Sequence, residues 1–393
     1  MEEKFTFSSK LKYFSFALMA IGAIAMAIAF MGDPQRAWAD LLLNNFYFLS
    51  LAIGASFFLA IQYIAQAGWS SGFKRIPESM TLYIPIGAIV MVVLILGLKH
   101  IYPWINPGEH VKFDEHDLHL IDHKSPWLNL PFFIGRMILY LAVWTGMTFF
   151  LRKLSLKEDM EGGIEYFKKI EFYSKVYIFL LAFTFIGASL DWIMSIDPTW
   201  FSTLFAIKNF VLSFYHGAAM IILIAYLLNK NGHLTFMNKS HWHDFSKYQF
   251  FLAIMFGYMW YSQYFLIWYA NIPEETSYYI QRREDFSQTL FVFNIVLNFV
   301  VPFVILIPNF MARNKHVLAV MAVVLLIGHY TDLYEQIMPG VTGKLQIGFV
   351  EIGSWLGFLG LFIFVVATTL SKANLIPKNH PLLDESLHHH LHS

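Results

Sequence analysis

The sequence FGYMWYSQYFLIWYANIPEETSYYIQRR, residues 256–283, decides the fold class of this 393-residue chain. It begins as an apolar, aromatic-rich run that contains the amide Gln263 and is interrupted at Pro273. A polar side chain inside a membrane helix is costly unless it has a partner or a function. The stretch therefore predicts a membrane-spanning helix followed by a charged turn. That turn holds two adjacent carboxylates and two adjacent cations: Glu274, Glu275, Arg282 and Arg283.

The composition indicates that the solvent of this chain is a lipid bilayer. Hydrophobic residues make up 57% of the sequence and charged residues only 14%, whereas a soluble domain carries about 25% charged residues. The chain has no cysteine, which excludes thiolate-ligated iron–sulfur clusters, thioether-attached haem and disulfides. Its formal net charge is zero, so there is no electrostatic basis for binding nucleic acid.

Hydropathy predicts an all-α integral membrane protein with ten transmembrane helices. Each apolar segment is long enough to cross a bilayer, and the first is too long for the core of a signal peptide, so we expect it to be retained. No connection is long enough for a soluble domain, so residues 1–393 are expected to form one transmembrane domain. The predicted spans are 11–31, 41–66, 78–98, 131–151, 175–196, 202–229, 247–270, 289–312, 316–333 and 346–370.

The distribution of basic residues predicts the orientation of these spans. Lysines and arginines concentrate in the N-terminal tail, the even-numbered connections and the C-terminal tail. By the positive-inside rule, both termini lie in the cytoplasm. Residues 152–174 are then the most basic internal connection, residues 99–130 the largest external loop, and residues 371–393 a cytoplasmic tail. We expect the histidine-rich end of that tail to be disordered.

Histidines are candidates for binding a haem or a metal. A b-type haem between two helices needs two axial histidines at matched depth, and the two candidates, His216 and His329, are predicted at different depths. Four histidines of the external loop, His110, His116, His119 and His123, have a spacing that fits no standard metal site. We therefore expect a solvated docking loop there.

Ionisable residues within the predicted spans gather in the outer half of the membrane. Lys208 and His216 lie about two turns apart in the sixth span, and Asp191 lies near the outer end of the fifth. The natural ion pair is then Lys208 with Asp191. Toward the cytoplasm, the spans offer only hydroxyls, tyrosines and the amides Gln62 and Gln249.

Two interpretations of this outer cluster remain open. Its residues could line a hydrated proton relay that opens outward, because His216 is predicted near mid-bilayer, where no headgroup is available to it. They could instead be ion pairs or side chains that reach the headgroups, as we expect for Arg136 and Glu351. The candidates for a proton path are Asp191, Lys208, His216, Gln263, His329 and Asp332. The charges expected to be structural or interfacial are Arg136, Glu274, Glu275, Arg282, Arg283 and Glu351.

Several segments resemble one family of membrane proteins. They resemble the ActF-type, NrfD-like (polysulfide-reductase-like) membrane subunits of bacterial alternative complex III, a quinol:cytochrome c oxidoreductase. The resemblance runs from the fourth span to the tenth, and the preceding part is similar in hydropathy alone. The segments are WLNLPFFIGR (Trp127–Arg136), DWIMSIDPTWFSTLF (Asp191–Phe205), YSQYFLIWYANIPEE (Tyr261–Glu275), LNFVVPFVILIPN with the following Lys315, and TDLYEQIMP (Thr331–Pro339).

The resemblance implies two four-helix bundles, formed by spans 2–5 and 6–9, with spans 1 and 10 flanking them. It implies a multi-pass, non-redox subunit of the bacterial inner membrane that binds no redox cofactor, and it leaves quinone or lipid binding open. Haem and iron–sulfur clusters would lie in partner subunits. The implied partners are a sister NrfD-like subunit, a multihaem cytochrome c, an iron–sulfur subunit resembling molybdenum enzymes, small anchored subunits and, as an optional member, a terminal oxidase.

Two other functions remain open. The chain could be a stand-alone ion-coupled transporter, in which intramembrane Asp, Lys and His side chains form the coupling site. It could also be a purely structural scaffold in the membrane, whose polar groups are ion pairs that support assembly.

Overall fold

The fold is built from long apolar helices. The computed structural model describes residues 3–107 and 113–390, apart from the side chains of residues 284 and 285. Within these ranges ten helices are long and apolar enough to span a membrane, so the predicted all-α membrane fold is confirmed. They are α1 (Ser9–Gly32), α2 (Pro34–Ile64), α3 (Arg75–Ile101), α4 (Leu130–Glu161), α5 (Ile164–Ile196), α6 (Thr203–Lys230), α7 (Lys239–Ala270), α8 (Gln288–Leu306), α9 (Lys315–Thr342) and α10 (Phe349–Leu370).

The ten helices pack as two four-helix bundles with two flanking helices. In the first bundle each of α2, α3, α4 and α5 contacts the next, and α5 closes the ring on α2. The second bundle repeats this arrangement with α6, α7, α8 and α9. Helices α1 and α10 pack against each other and against the outside of the first bundle.

The two bundles meet along α2, α6 and α9, which are the most buried of the ten helices. The backbones of α2 and α6 approach closely at Gly54 and Gly217. A Cβ atom on Gly54 would lie 2.0 Å from the carbonyl oxygen of Ser213. Small residues allow this approach, which membrane helices use because packing replaces the hydrophobic effect between them.

Both chain ends lie at the same end of the molecule, which we name the terminus face. Lys4 forms an isolated β-bridge with Asn374, and the amide of Leu375 donates to the carbonyl of Glu3 at 2.8 Å. The other end of the bundles, where α2 begins and α1 ends, is the opposite face. The sequence prediction that the terminus face is cytoplasmic stays a prediction.

The C-terminal tail packs on the terminus face rather than being disordered up to residue 390. Its short helix Leu383–Leu387 lies against the 3₁₀ helix Gly68–Phe73. Ser386 Oγ donates to the carbonyl of Trp69 at 2.8 Å, and His389 Nε2 lies 2.7 Å from Asp244 Oδ2. Residues 391–393 lie outside the described residues.

Several helices are longer than hydropathy predicts. Residues 152–174 are not a loop, because α4 continues to Glu161 and α5 begins at Ile164. Helix α9 continues to Thr342, beyond its predicted end at residue 333. Hydropathy detects the apolar part of a helix that lies within the bilayer. These extensions carry polar side chains whose hydrogen bonds are made inside the protein or at its surface.

Candidate functional site

Helix α9 carries the polar centre of the second bundle. Asp332, Glu335 and Gln336 are spaced three and four residues apart, so they share one helix face, and all three are buried. Because α9 runs to Thr342, His329 lies near the middle of the helix rather than at its outer end. The predicted difference in membrane depth between His329 and His216, which lies on α6, is therefore wrong.

The buried cation of α6 pairs with this face of α9. Lys208 Nζ lies 3.2 Å from Asp332 Oδ1, and both side chains are buried. The predicted pair of Lys208 with Asp191 is wrong, because Asp191 belongs to the first bundle. Taking two charges out of water is costly, and mutual attraction with further hydrogen bonds offsets that cost.

Two amides of α8 connect this ion pair to the middle of the membrane. Asn294 Nδ2 donates to Asp332 Oδ1 at 2.9 Å and to Glu335 Oε2 at 2.8 Å. Asn298 Nδ2 donates to Asn294 Oδ1 at 2.7 Å and to the carbonyl of Gly328 at 3.0 Å. The amide oxygen of Asn298 is thereby left to face α6.

The backbone of α8 is unwound where Asn298 lies. Residues Val296–Val300 form a π-helical turn, a feature frequent at functional sites. Pro302 has no N–H, so the carbonyl of Asn298 lacks its usual helical donor four residues on. The hydroxyl of Tyr215 supplies one instead, at 3.2 Å.

His216 is the end of the amide chain and has an oxygen acceptor at each ring nitrogen. Nε2 lies 2.8 Å from Asn298 Oδ1, and Nδ1 lies 2.8 Å from the carbonyl oxygen of Leu212. A neutral imidazole has one N–H, whereas the protonated ring has two. Since the NH₂ group of Asn298 is held by other acceptors, either ring nitrogen of His216 finds an oxygen acceptor when it carries the proton.

A second histidine continues the chain across the seam between the bundles. The rings of His216 and His329 stack with centroids 4.4 Å apart and an interplanar angle of 22°. His329 Nε2 lies 2.7 Å from Ser50 Oγ on α2, while its Nδ1 is buried without a hydrogen-bond partner. Two rings in direct contact leave no space for a macrocycle between them, so they cannot serve as the axial pair of one haem.

A small cavity lies beside the ion pair toward the opposite face. Its volume is about 20 Å³, which holds about one water molecule. Lys208, Asp332 and Gln263 line it together with Glu335 and Arg282. Three of the six predicted path residues thus meet at one cavity, and His216 and His329 are joined to it through the amides of α8.

Arg282 closes this cavity on the side of the opposite face. Its guanidinium carbon lies 3.3 Å from the ring centroid of Tyr278, and its Nη2 lies 2.7 Å from Asp197 Oδ2. Nε of Arg282 also donates to the carbonyl of Glu335 at 3.0 Å. Burial raises the pKa of Tyr278, so its hydroxyl stays neutral beside the cation. Arg282 is buried, which fits the structural rather than the interfacial one of the two roles expected for it.

Asp191, the sixth predicted path residue, lies apart from the others in the first bundle. Arg136 contacts both carboxylate oxygens, at 2.7 and 2.9 Å. Trp127 Nε1 and the hydroxyl of Tyr140 also donate to it, at 2.9 and 3.3 Å. A carboxylate held by four donors is an ion pair that fixes α4 to α5. Arg136 is buried and does not reach the headgroups, contrary to expectation.

The remaining predicted charges have separate structural positions. Glu351 is fully buried and bonds Arg36 at 2.7 and 2.8 Å, so the prediction that it reaches the headgroups is wrong. Glu274 is exposed, 4.0 Å from His116 Nε2. Glu275 accepts a bond at its carbonyl from Trp200 Nε1 at 3.1 Å. In the same segment, Arg283 Nη1 donates to the hydroxyl of Tyr264 at 3.1 Å.

A second ionic cluster lies toward the terminus face of the first bundle, where only hydroxyls, tyrosines and amides were expected. Lys74 pairs with Glu158, and Arg75 with both Glu78 and Asp159. A cavity of about 40 Å³ extends from this cluster into the bundle and reaches Ser56 and Tyr177, whose hydroxyls lie 2.7 Å apart. The prediction failed because most of these cations and carboxylates lie on helix extensions outside the predicted spans. The cluster residues are Lys74, Arg75, Glu78, Arg152, Glu158 and Asp159.

The loop histidines form no metal site within residues 3–107 and 113–390, where no three metal-ligating side chains converge. The loop instead contains a helix, Glu115–Lys124, on which the rings of His119 and His123 contact each other at 4.6 Å. His110 lies outside the described residues.

Sequence reasoning missed the neutral members of the site. Asn294, Asn298 and Ser50 carry no charge and occur in apolar runs, so nothing in hydropathy marks them. Glu335 was available as a signal, because it follows Asp332 by three residues on one helix face. Its hydrogen bonds to an α8 amide could be seen only in the folded bundle.

Comparison with known proteins adds no relative to this description. No protein-family model matches the sequence, and no curated protein has a significant match to it. The membrane-helical fold and the geometry of its buried polar groups are therefore the basis for any functional conclusion.

Proposed function

We propose that this chain is a non-redox membrane subunit of a respiratory quinol:cytochrome c oxidoreductase and that its second bundle conducts protons part of the way across the membrane. The observation that carries the proton path is the run of buried polar side chains from Lys208 and Asp332 to Ser50. Intramembrane ionisable residues in such runs mark proton relays. The motif resemblance to NrfD-like subunits and the two-bundle architecture support the assignment to a quinol oxidoreductase.

In this proposal the opposite face is the side from which the path is reached. Arg282 and Asp197 form the gate, and the cavity beside Lys208 and Glu335 holds a water that exchanges protons with the carboxylates. The amides of α8 keep a polar connection from Asp332 to His216. The ring of His216 holds the proton between two oxygen acceptors, stacked on His329.

The polar chain also points to a continuation in the first bundle. It ends at Ser50 on α2, and Ser56, six residues further on the same helix, lines the cavity of the second ionic cluster. Six residues of helix rise about 9 Å. Water or a hydroxyl rotation has to bridge that interval for protons to cross from one face to the other.

The proposal also includes a location and a set of partners for the chain. It would lie in the bacterial inner membrane with both termini in the cytoplasm. Its partners would be a sister NrfD-like subunit, a multihaem cytochrome c, an iron–sulfur subunit resembling molybdenum enzymes, small anchored subunits and, as an optional member, a terminal oxidase. The chain itself would bind no haem or cluster, and electrons would pass through those partners.

Proton release by the intact complex tests the proposal. In liposomes, we expect His216→Phe and Asn298→Leu to lower the protons released per quinol oxidised, because each variant interrupts the polar chain while keeping a side chain of similar size. His241→Phe and Asn45→Leu are matched controls, since both residues are fully buried and neither belongs to the run of polar side chains from Lys208 to Ser50. The haem content of the purified complex shows whether the haem-binding partner subunits have assembled with each variant.

Unchanged proton release by fully assembled His216→Phe and Asn298→Leu complexes would exclude the path and leave the scaffold function. The transporter alternative has its own signature. Ion uptake into liposomes by the isolated chain, abolished by Asp332→Asn, would favour a stand-alone transporter over a subunit of a quinol oxidoreductase.

A further inference from the structure

A large basic groove opens on the terminus face between the start of α7 and the connection from α8 to α9. Its volume is about 1030 Å³, within the order of size of ligand sites in proteins. Three cations, Lys239, Arg313 and Lys315, line it with two aromatic side chains, Trp242 and Phe310. We refer to these five residues as the basic groove. Its described lining residues include no carboxylate.

The positive charge of the basic groove is not neutralised by the protein. In the part of the chain that the structure describes, none of its three cations forms an ion pair, and Nε of Arg313 is buried without a hydrogen-bond partner. Lys315 donates to a neutral amide oxygen, that of Asn229, at 2.8 Å. The carboxylate of Asp244, at the start of α7, is already engaged by Lys247 and His389, each at 2.7 Å. Cations without a carboxylate partner favour an anionic ligand, since charge-assisted bonds to phosphate are strong.

The basic groove adjoins an apolar surface that faces lipid. Phe310 at its rim is 71% exposed, and Val304 of α8 and Ile307 just after the end of that helix are also exposed. On the neighbouring helix α7, Phe251 is likewise exposed. An anion without a hydrocarbon tail would use the cations alone, whereas an amphiphile would use both the cations and this surface. Basic pockets between transmembrane helices are known as sites for anionic lipid headgroups.

We propose that the basic groove binds an anionic phospholipid, with its phosphate at Arg313 and Lys239 and its acyl chains along α7 and α8. This binding site is independent of the proton path, because it lies on the terminus face and shares none of its residues. It places one ordered lipid against the bundle that carries the path.

Lipid retention by the full chain tests the proposal. Native mass spectrometry in neutral detergent would count bound phosphatidylglycerol and, separately, phosphatidylcholine. We expect the double variant Lys239→Gln, Arg313→Gln to lower phosphatidylglycerol affinity about 25-fold, or about fivefold for each cation removed near the surface. The charge-matched control Lys168→Gln, Lys372→Gln removes two exposed cations of the same face and should retain native affinity.

Four outcomes would overturn the proposal. Equal retention of both lipids, or equal loss in the groove and control variants, would mean that headgroup charge is not recognised in the groove. Displacement of phosphatidylglycerol by inorganic phosphate would indicate a site for a soluble anion. Loss of an acidic partner subunit from the intact complex on groove neutralisation, with lipid retention unchanged, would make the groove a protein-docking site. Arg313→Lys, which keeps the charge, should retain the lipid if the variants fold.

Discussion

The carboxylate of Asp332 is the residue on which the polar chain of the second bundle depends. It accepts hydrogen bonds from Lys208, Asn294 and Gln336, and so joins α6, α8 and α9. Removing the cation would leave a buried charge next to Glu335 with only amides to stabilise it. Removing both members of the ion pair leaves neither charge, so the two losses should not add.

This coupling gives a stability prediction. We expect Lys208→Met or Asp332→Leu alone to lower the free energy of unfolding by about 3–5 kcal/mol, and the double variant to recover most of that loss. Thermal unfolding of the chain in detergent, analysed as a double-mutant cycle, measures the coupling. In the exposed pair of Lys175 with Glu171, Lys175→Met should cost at most about 1 kcal/mol. Additive single effects at Lys208 and Asp332 would contradict the proposed coupling.

Some residues of the polar site could be identified from the amino-acid sequence, and others could not. Ionisable residues within a membrane span are conspicuous, so Lys208, His216 and Asp332 could be found without a structure. Their partners could not, because Lys208 lies near the same membrane level as both Asp191 and Asp332, and only the packing of α6 on α9 decides between them. The amides of α8 stayed hidden because neutral side chains hardly change hydropathy.

At the scale of helices, the centres of all ten spans were predictable and the ends were not. A bilayer requires about 20 apolar residues, and that requirement sets the centre of each span. The ends depend on tertiary contacts, as at the extended end of α9, where buried Glu335 bonds Asn294. A hydropathy window interprets such a polar turn as the end of the span, which is why His329 was placed too close to the surface.

The contact of α1 with α10 gives a prediction for a single helix pair. A Cβ atom on Gly357 would lie 2.6 Å from the Cα atom of Gly22, so an added methyl group requires the two backbones to separate. We expect Gly357→Ala to lower the free energy of unfolding by about 1–3 kcal/mol. Thermal unfolding in detergent measures it, with limited proteolysis in residues 31–36 as a report on α1.

Gly146→Ala is the matched control for this prediction. Gly146 also lies within a helix, but an added Cβ atom there would have nothing within 4 Å. Helix propensity alone then makes Gly146→Ala neutral or slightly stabilising. Equal effects of the two substitutions would mean that α1 and α10 adjust freely, and that their close approach does not contribute to stability.

At the scale of the whole molecule, buried ionic clusters lie toward both faces. The second bundle has its ionic cluster toward the opposite face, and the first has one of its clusters toward the terminus face. Their polar side chains approach at the seam, where Ser50 of α2 receives the last contact from His329. The C-terminal tail then lies over the terminus-face cluster, because His380 lines a small cavity there together with Lys74 and Tyr63.

The environment of His380 makes the attachment of this tail dependent on pH. Its ring packs against Tyr63 and Phe167, with centroids 5.7 and 5.5 Å away. Burial, together with the charge of Lys74, lowers the pKa of His380 to about 2. A detached tail would have the ordinary value of about 6.5. Between these two values the detached state binds a proton that the attached state excludes, so attachment weakens as the pH falls.

We therefore expect detachment of the tail to increase about tenfold for each unit of pH below about 6.5, until other parts of the molecule respond. Hydrogen exchange in residues 374–390 measures it, with native chain and His380→Phe compared at each pH so that intrinsic exchange cancels. His380→Phe should flatten the dependence, and it separates this contribution from that of His389 beside Asp244. His388→Asn, at an exposed position, should leave the dependence intact. If exchange of the native tail relative to that of His380→Phe were no greater at pH 5 than at pH 7, His380 would not be held neutral by the packing of the tail.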